Sequence, residues 1–251
     1  MMNAIVYTKY GPPDVLQLKE VEKPIPQDDE VLVKVHATCV NSPDASMSRG
    51  EPFLARLWSG LRKPKYQILG SDIAGRVEAV GKDTKHFQPG DEVFGDISGC
   101  GWGGFAEYVS VPDHVLAPKP TNLTFEEAAA VPLAAVVALQ GLRDKGQIES
   151  GHKVLIDGAS GGIGTSAVQI AKALGAEVTG VCSTKNLEMV RSIGADHVID
   201  YTREDFTRNG QHYDLIFTVV GHHSVFDFKR ALSPKGIYVG SANSAALLFQ
   251  T

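Results

Sequence analysis

The sequence is short of what several protein classes require. It has three cysteines in 251 residues, Cys39, Cys100 and Cys182. No pair of them has the spacing of a metal knuckle or a disulfide framework, so reduced cytosolic thiols are expected. No run approaches the roughly 20 apolar residues that a spanning helix needs. The start, Met1-Met2-Asn3-Ala4-Ile5-Val6-Tyr7, lacks both the charged opening and the long apolar core of a signal peptide. A cytoplasmic location without a membrane span follows as an expectation. Charge of neither sign dominates: 24 Lys and Arg are scattered among 29 Asp and Glu, and the net charge of -5 gives no reason to expect nucleic acid. Internal repeats and low-complexity tracts are also missing.

What is present is an ordinary globular composition, 43% hydrophobic and 21% charged, in a chain long enough for two domains with separate cores. The most informative stretch runs from Lys153 to Asn186. A short apolar run, Lys153-Val154-Leu155-Ile156-Asp157, leads into the turn Gly158-Ala159-Ser160-Gly161-Gly162-Ile163-Gly164. Helical spacing of Ile163, Ala167, Ile170, Ala171 and Leu174 follows, then a second apolar run after Gly175. That order makes a βαβ unit of the dinucleotide-binding kind. A strand that reverses into a helix within a few residues needs unusual backbone angles at one position. At another it needs no side chain, so that a pyrophosphate can reach the helix N-terminus. Ala159-x-Gly161-x-x-Gly164 stands where Gly-x-Gly-x-x-Gly would, with Ala in the first place. The bland alternative is a glycine-rich turn without a ligand.

From Met2 to about Pro118 the chain reads as β with many turns. Ala4–Tyr7, Glu30–Ala37, Ile73–Val80 and Phe105–Val109 are strand-like, and consecutive strands with no helix between them predict a compact barrel-like domain. Thr124-Phe125-Glu126-Glu127 opens an Ala-rich helix to about Lys145, with Thr124 at the N-cap and Pro132 expected to break or kink it. Beyond the βαβ unit, helix (Leu187–Ile193), strand (His197–Ile199), strand (Asp214–Val220), helix (Ser224–Leu232) and strand (Gly236–Gly240) imply a doubly wound parallel sheet. The fold class is therefore α/β, with domains expected at 1–123 and 124–251.

Gly70-Ser71-Asp72-Ile73-Ala74-Gly75, Gly90-Asp91-Glu92-Val93-Phe94-Gly95, Gly103-Gly104-Phe105-Ala106-Glu107-Tyr108, Ala129-Ala130-Val131-Pro132-Leu133 and the glycine turn occur in the order that the medium-chain dehydrogenase/reductase superfamily shows. The chain resembles the zinc-independent quinone oxidoreductase branch of that superfamily. The resemblance implies a GroES-like β-barrel domain followed by a Rossmann domain, with the active site in the cleft between them. In the zinc alcohol dehydrogenases of the superfamily, the catalytic cysteine and histidine ligands stand where this chain has Asn41 and Ser71. Neither supplies the thiolate or imidazole that zinc prefers, so no metal is expected, although Cys39 lies two positions away on the same face. The resemblance also implies that Asn41 and Asp44 sit at the cleft as catalytic residues. There the Asn41 amide would bond the nicotinamide ribose or the substrate oxygen; the bland alternative for Asn41-Ser42-Pro43-Asp44 is a turn. Pro132 and Leu133 would line the nicotinamide pocket, and Tyr201 would approach the adenosine 2′-phosphate.

NAD sites place Asp or Glu at the end of the second strand, whereas here that strand ends Gly180-Val181-Cys182-Ser183-Thr184-Lys185-Asn186. A hydroxyl and a cation attract a 2′-phosphate that a carboxylate would repel. NADPH is the expected cofactor, bound by Ala159, Ser160, Gly161, Gly162, Ile163, Ser183, Lys185, Tyr201, Pro132 and Leu133. The alternative for Lys185 is a solvated lysine at a helix start, and for Tyr201 a surface tyrosine. His222-His223 reads as a loop pair with one ring in water, and Cys100 as an inert loop residue.

The expected activity is hydride transfer from NADPH to a quinone or an α,β-unsaturated carbonyl. The alternatives are a non-catalytic NADPH-binding protein of the same family and an alcohol dehydrogenase. The expected partner is a small-molecule quinone, enone or enal, with a homodimer as a possible assembly. Because the resemblance implies a return to the first domain after the Rossmann sheet, the apolar ending Ser244-Ala245-Ala246-Leu247-Leu248-Phe249-Gln250-Thr251 suggests a truncated or partial version of a longer protein. Such a chain would leave apolar surface and a sheet edge uncovered, which invites association.

Overall fold

The computed structural model describes residues 1–221 and 223–241; His222 and the apolar ending at 244–251 lie outside the described residues. The chain divides into two compact units, Met1–Leu133 and the part from Ala134 onward.

The first unit opens with an antiparallel hairpin, β1 (Met2–Val6) and β2 (Gln17–Val21). Then come β3 (Glu30–Cys39), helix α1 (Ser42–Arg49), the short helix α2 (Arg56–Ser59), β4 (Asp72–Val80), β5 (Glu92–Asp96), β6 (Tyr108–Pro112) and β7 (Ala117–Pro118). The last five strands form one antiparallel sheet in the order β6-β3-β4-β5-β7. Alternation builds its core: Val31 and Val33 of β3, Ile73 and Val77 of β4, Val93 of β5 and Val109 and Val111 of β6 bury together. Ala74, on the opposite face, packs with Ala128 and Ala129 of helix α3 (Phe125–Ala129).

Two expectations change here. Helix α1 stands between β3 and β4, where no helix was expected. Asn41 at its N-cap, Pro43 in its first turn and Asp44 at its third position are helix-start chemistry that also suits a turn. The strand expected at Phe105–Val109 begins at Tyr108 instead, because the Phe105 and Glu107 N–H groups donate to Leu69 O and Asn3 O, away from the ladder.

Thr124 caps α3 as expected: its Oγ1 accepts from Glu127 N at 3.2 Å and its N–H donates to Glu127 Oε2 at 2.9 Å. The break falls at Pro132, which opens a new helix, α4 (Pro132–Leu139), since a residue without an N–H suits a first turn. The chain then runs through a wider π-type turn at Gln140–Lys145.

In the second unit, β8 (Lys153–Asp157), α5 (Gly162–Ala173), β9 (Glu177–Cys182), α6 (Leu187–Ser192), β10 (His197–Asp200), β11 (Tyr213–Thr218), α7 (Val225–Ala231) and β12 (Leu232–Gly240) alternate. The sheet is parallel throughout, in the order β10-β9-β8-β11-β12. Both faces are covered, so neighbours in one strand enter different cores. Val154, Ile156, Leu215 and Phe217 pack with Ala167, Val168 and Ala171 of α5, while Leu155 and Ile216 pack with Phe228 and Ala231 of α7. The direction of strand addition reverses between β8 and β11. Open α/β sheets bind ligands at the carboxyl ends of strands at such a point, here Asp157-Gly158 and Thr218-Val219.

Candidate active site

In the second unit the site is made of backbone. Gly158 leaves β8 with φ +87°, a conformation that side-chain-bearing residues seldom adopt. Gly164 is pressed onto the turn, where an added Cβ would lie 2.1 Å from Gly158 O. Gly161 and Gly162 are exposed, and a Cβ on Gly161 would meet nothing nearer than Gly158 O at 3.6 Å. No side chain caps α5 at Gly161, so no side-chain acceptor at the cap takes up the first-turn N–H groups at the positive end of the helix. An exposed, uncapped glycine cradle of this kind fits a pyrophosphate.

The sequence-derived residues around this turn take different places. Ala159 is fully buried in the sheet–helix core, and its N–H donates to Val181 O at 3.0 Å. The unusual backbone angle that the turn needs is supplied by Gly158, one residue before Ala159. Ser160 and Ile163 are half-buried, and Ile163 leans on the core.

Past β9, Ser183 is half-buried, while Lys185 and Tyr201 are exposed, Tyr201 by 60%. Sequence reasoning missed Asp200, which pairs in register with Cys182 and so stands beside the end of β9. Its carboxylate accepts from Thr184 Oγ1, from Thr202 N at 3.0 Å and from Thr202 Oγ1 at 2.7 Å, with Arg203 Nε 3.6 Å away. Those bonds, the Thr184 hydroxyl foremost, hold its carboxyl below the usual range. No local signal announces Asp200, since only strand pairing brings it to β9. Of the histidine pair, His223 packs edge-on against Phe206 at 4.8 Å between ring centroids.

In the first unit the site is made of side chains. Asn41 N donates to Asp44 Oδ2 at 2.6 Å, and Gly70 N donates to Asp44 Oδ1 at 3.0 Å. Both Asp44 oxygens thus tie the start of α1 to the loop before β4, a positioning task. Burial pushes the Asp44 carboxyl up against the opposing pull of these N–H groups. The Asn41 amide nitrogen donates to Ser71 Oγ at 3.0 Å and Asp72 Oδ2 at 2.9 Å, and Leu133 N donates to Asp72 Oδ1 at 3.0 Å. Asn41, the adjacent pair Ser71-Asp72 and Leu133 are therefore brought together from three places in the sequence. Ser71 and Asp72 have no exposed surface, whereas Asn41 and Leu133 are half-buried and Pro132 is buried. Burial, the largest influence, moves the Asp72 carboxyl to about 6.

Zinc does not fit this cluster. Asn41 and Ser71 are neutral oxygen and nitrogen groups already bonded to each other, and neither is a thiolate or an imidazole. Among the described residues, no group of three or more His, Cys, Asp or Glu is placed to hold a metal ion. No described helix is long and apolar enough to cross a membrane.

Comparison with known proteins agrees with this architecture. Residues 27–121 match the family described as alcohol dehydrogenase GroES-like domain, and residues 162–246 the family described as zinc-binding dehydrogenase. The 2-methylene-furan-3-one reductase of Solanum lycopersicum is 38% identical over 229 residues, covering 88% of this chain and 57% of that protein. The chloroplastic NADPH-dependent alkenal/one oxidoreductase of Arabidopsis thaliana is 36% identical, covering 88% of this chain and 58% of that protein. The chain thus spans less than two thirds of the length of these relatives. Among solved structures, the quinone oxidoreductase from Coxiella burnetii superposes with a TM-score of 0.85 at 32% identity, covering 94% of this chain and 74% of that one. The fold and these matches define a GroES-like domain followed by a Rossmann-type parallel sheet. The chain belongs to the medium-chain dehydrogenase/reductase superfamily, as a quinone oxidoreductase-like member.

Proposed function

We propose that this protein is an NADPH-dependent, zinc-independent oxidoreductase that delivers a hydride to a quinone or to the β-carbon of an enone or enal. The observation that carries the proposal is the uncapped glycine turn Gly158–Gly164, whose exposed Gly161 and Gly162 leave the N-terminus of α5 open to a pyrophosphate. The printed names of the relatives, an alkenal/one oxidoreductase and a quinone oxidoreductase, support the substrate class. When bound, the reduced nicotinamide supplies the hydride. The first-turn N–H groups of α5 hold the phosphates, and Ser183 and Lys185 favour a 2′-phosphate by hydrogen bonding and charge. Tyr201 is the proposed neighbour of that phosphate. Asp200 counts the other way; its bonds to Thr184 and Thr202 spend its accepting capacity within the protein. Asn41 is the proposed contact in the first unit, with Asp44 holding it and Pro132 and Leu133 beside it. Zinc independence rests on the donor set at Asn41 and Ser71, and a cytoplasmic location is part of the proposal.

The test is to incubate the protein, after chelation, with NADPH and a panel of quinones, enones and enals, and to follow the reduced-nicotinamide absorbance. Turnover that survives chelation is expected. Binding of NADPH without turnover of any acceptor would favour the non-catalytic alternative.

A further inference from the structure

An amide side chain offers a donor at one end and an acceptor at the other, and which end faces outward depends on what holds the inner one. Asp72 opens β4 with no exposed surface, and as a carboxylate it can only accept. Its Oδ2 lies 2.9 Å from Asn41 Nδ2, and Ser71 Oγ takes the other hydrogen of the same nitrogen at 3.0 Å. Turning the amide over would set its oxygen against the Asp72 oxygen, acceptor against acceptor. Asp72 is itself held by Leu133 N at 3.0 Å, so the carboxylate has little freedom to follow such a turn. Both hydrogens of the Asn41 nitrogen are engaged inward. The amide oxygen Oδ1 faces the Asp44 N–H in the capping box of α1, and its second lone pair is the accepting capacity that the half-buried side chain has left to offer.

We propose that Asp72 is a positioning residue that locks Asn41 with its nitrogen inward, so that Asn41 serves its site as an acceptor only. This rests on the nicotinamide-dependent reduction proposed above, and it narrows the role of Asn41. An acceptor suits a hydroxyl such as a ribose carries. It does not suit the carbonyl oxygen of an enone or quinone, which must find its donor elsewhere. The lock also depends on protonation. The charged or titratable groups facing Asp72 are Asp96 on β5, Asp44 on α1 and Cys39 on β3, none of them a cation. A protonated Asp72 becomes a donor toward Asn41 and releases the amide to turn.

Two measurements test this. The first needs no ligand: the side-chain amide signal of Asn41, identified by its loss in Asn41→Ala, is followed by NMR across pH. A protected amide that loses protection as pH falls through about 6, and is unprotected in Asp72→Asn at all pH values, is expected. A signal in the unmodified protein that exchanges freely at neutral pH would overturn the lock. The second compares binding of NADPH and of its analogue lacking the 2′-hydroxyl on the nicotinamide ribose. The unmodified protein should bind the analogue about five- to tenfold more weakly, the worth of one hydrogen bond, and Asn41→Ala should bind both alike. Equal binding of the two by the unmodified protein, together with a fall in kcat alone for Asn41→Ala, would assign Asn41 to the substrate and overturn the acceptor role. Failure of the unmodified protein to bind NADPH would overturn the proposed function and the hydroxyl contact with it, while the amide signal still decides the lock.

Discussion

The two units carry their candidate sites in different materials. In the second, the proposed phosphate cradle is backbone: a positive φ at Gly158, a close approach at Gly164 and open space over Gly161. In the first, the cluster is side chain and buried charge: Asp44 and Asp72, with Asn41 and Ser71, and no cation among their hydrogen-bond partners. A backbone site is insensitive to pH and, where the chain packs on itself as at Gly164, its fold has no room for a single methyl group. A site built on buried carboxylates keeps its shape by hydrogen bonds and changes with the proton.

The sharpest way to break this contrast is at Gly164. A Cβ there would stand 2.1 Å from Gly158 O and 2.8 Å from Ala159 Cα, both backbone atoms that cannot swing aside. Gly164→Ala should destabilise the second unit by about 3 kcal/mol, measured by denaturant unfolding. Unchanged stability would show that the turn is not closed by contact.

The matching change in the first unit is Asp72→Ala, which leaves an Asn41 amide hydrogen and the Leu133 N–H without their acceptor. The loss should be on the order of 1–3 kcal/mol. Its pH dependence has a definite sign. The folded-state pKa of Asp72, about 6, lies above its unperturbed 3.8, so the folded state holds this proton more tightly. That contribution is fully present below about pH 4 and is lost as pH rises through about 6. Asp72→Asn should therefore gain stability relative to the unmodified protein on going from pH 4 toward pH 7, in parallel unfolding titrations. A difference that stays flat across that window would contradict the buried-carboxylate account.

The smallest effect is expected at Lys185, an exposed cation. Lys185→Ala should weaken NADPH binding by about 1 kcal/mol and leave NADH nearly unchanged, by fluorescence titration of each. Equal losses for the two cofactors would remove Lys185 from the 2′-phosphate site.

The same contrast explains what the sequence discloses. The βαβ unit is legible because its information is local: apolar runs of strand length, glycines at a turn, and Ile163, Ala167, Ile170 and Ala171 at helical spacing within a few dozen residues. The position that needs the unusual backbone angle was left open by the sequence; it is Gly158, which frees Ala159 for the core. Helix α1 was hidden because Asn41-Ser42-Pro43-Asp44 is equally good turn chemistry, and only the continuation to Arg49 decides. Asn41, Ser71 and Leu133 were named through resemblance, but the part of Asp72 in joining them could not be read, since its partners Asn41 and Leu133 are 31 and 61 residues away in sequence. Asp200 reaches Thr184 across 16 residues, through strand pairing alone.

The central claim is that the glycine turn is a dinucleotide site rather than a bare turn, and Gly161 tests it most directly. Its φ of -83° is open to any residue, and an added methyl would meet only Gly158 O at 3.6 Å, so Gly161→Ala should fold and melt like the unmodified protein. The methyl would occupy space that a pyrophosphate needs. NADPH titration of both proteins, with melting recorded alongside, should show binding by the unmodified protein and at least about tenfold weaker binding by Gly161→Ala at equal stability, a difference of about 1.4 kcal/mol. Equal affinity of the two proteins for NADPH would contradict the account.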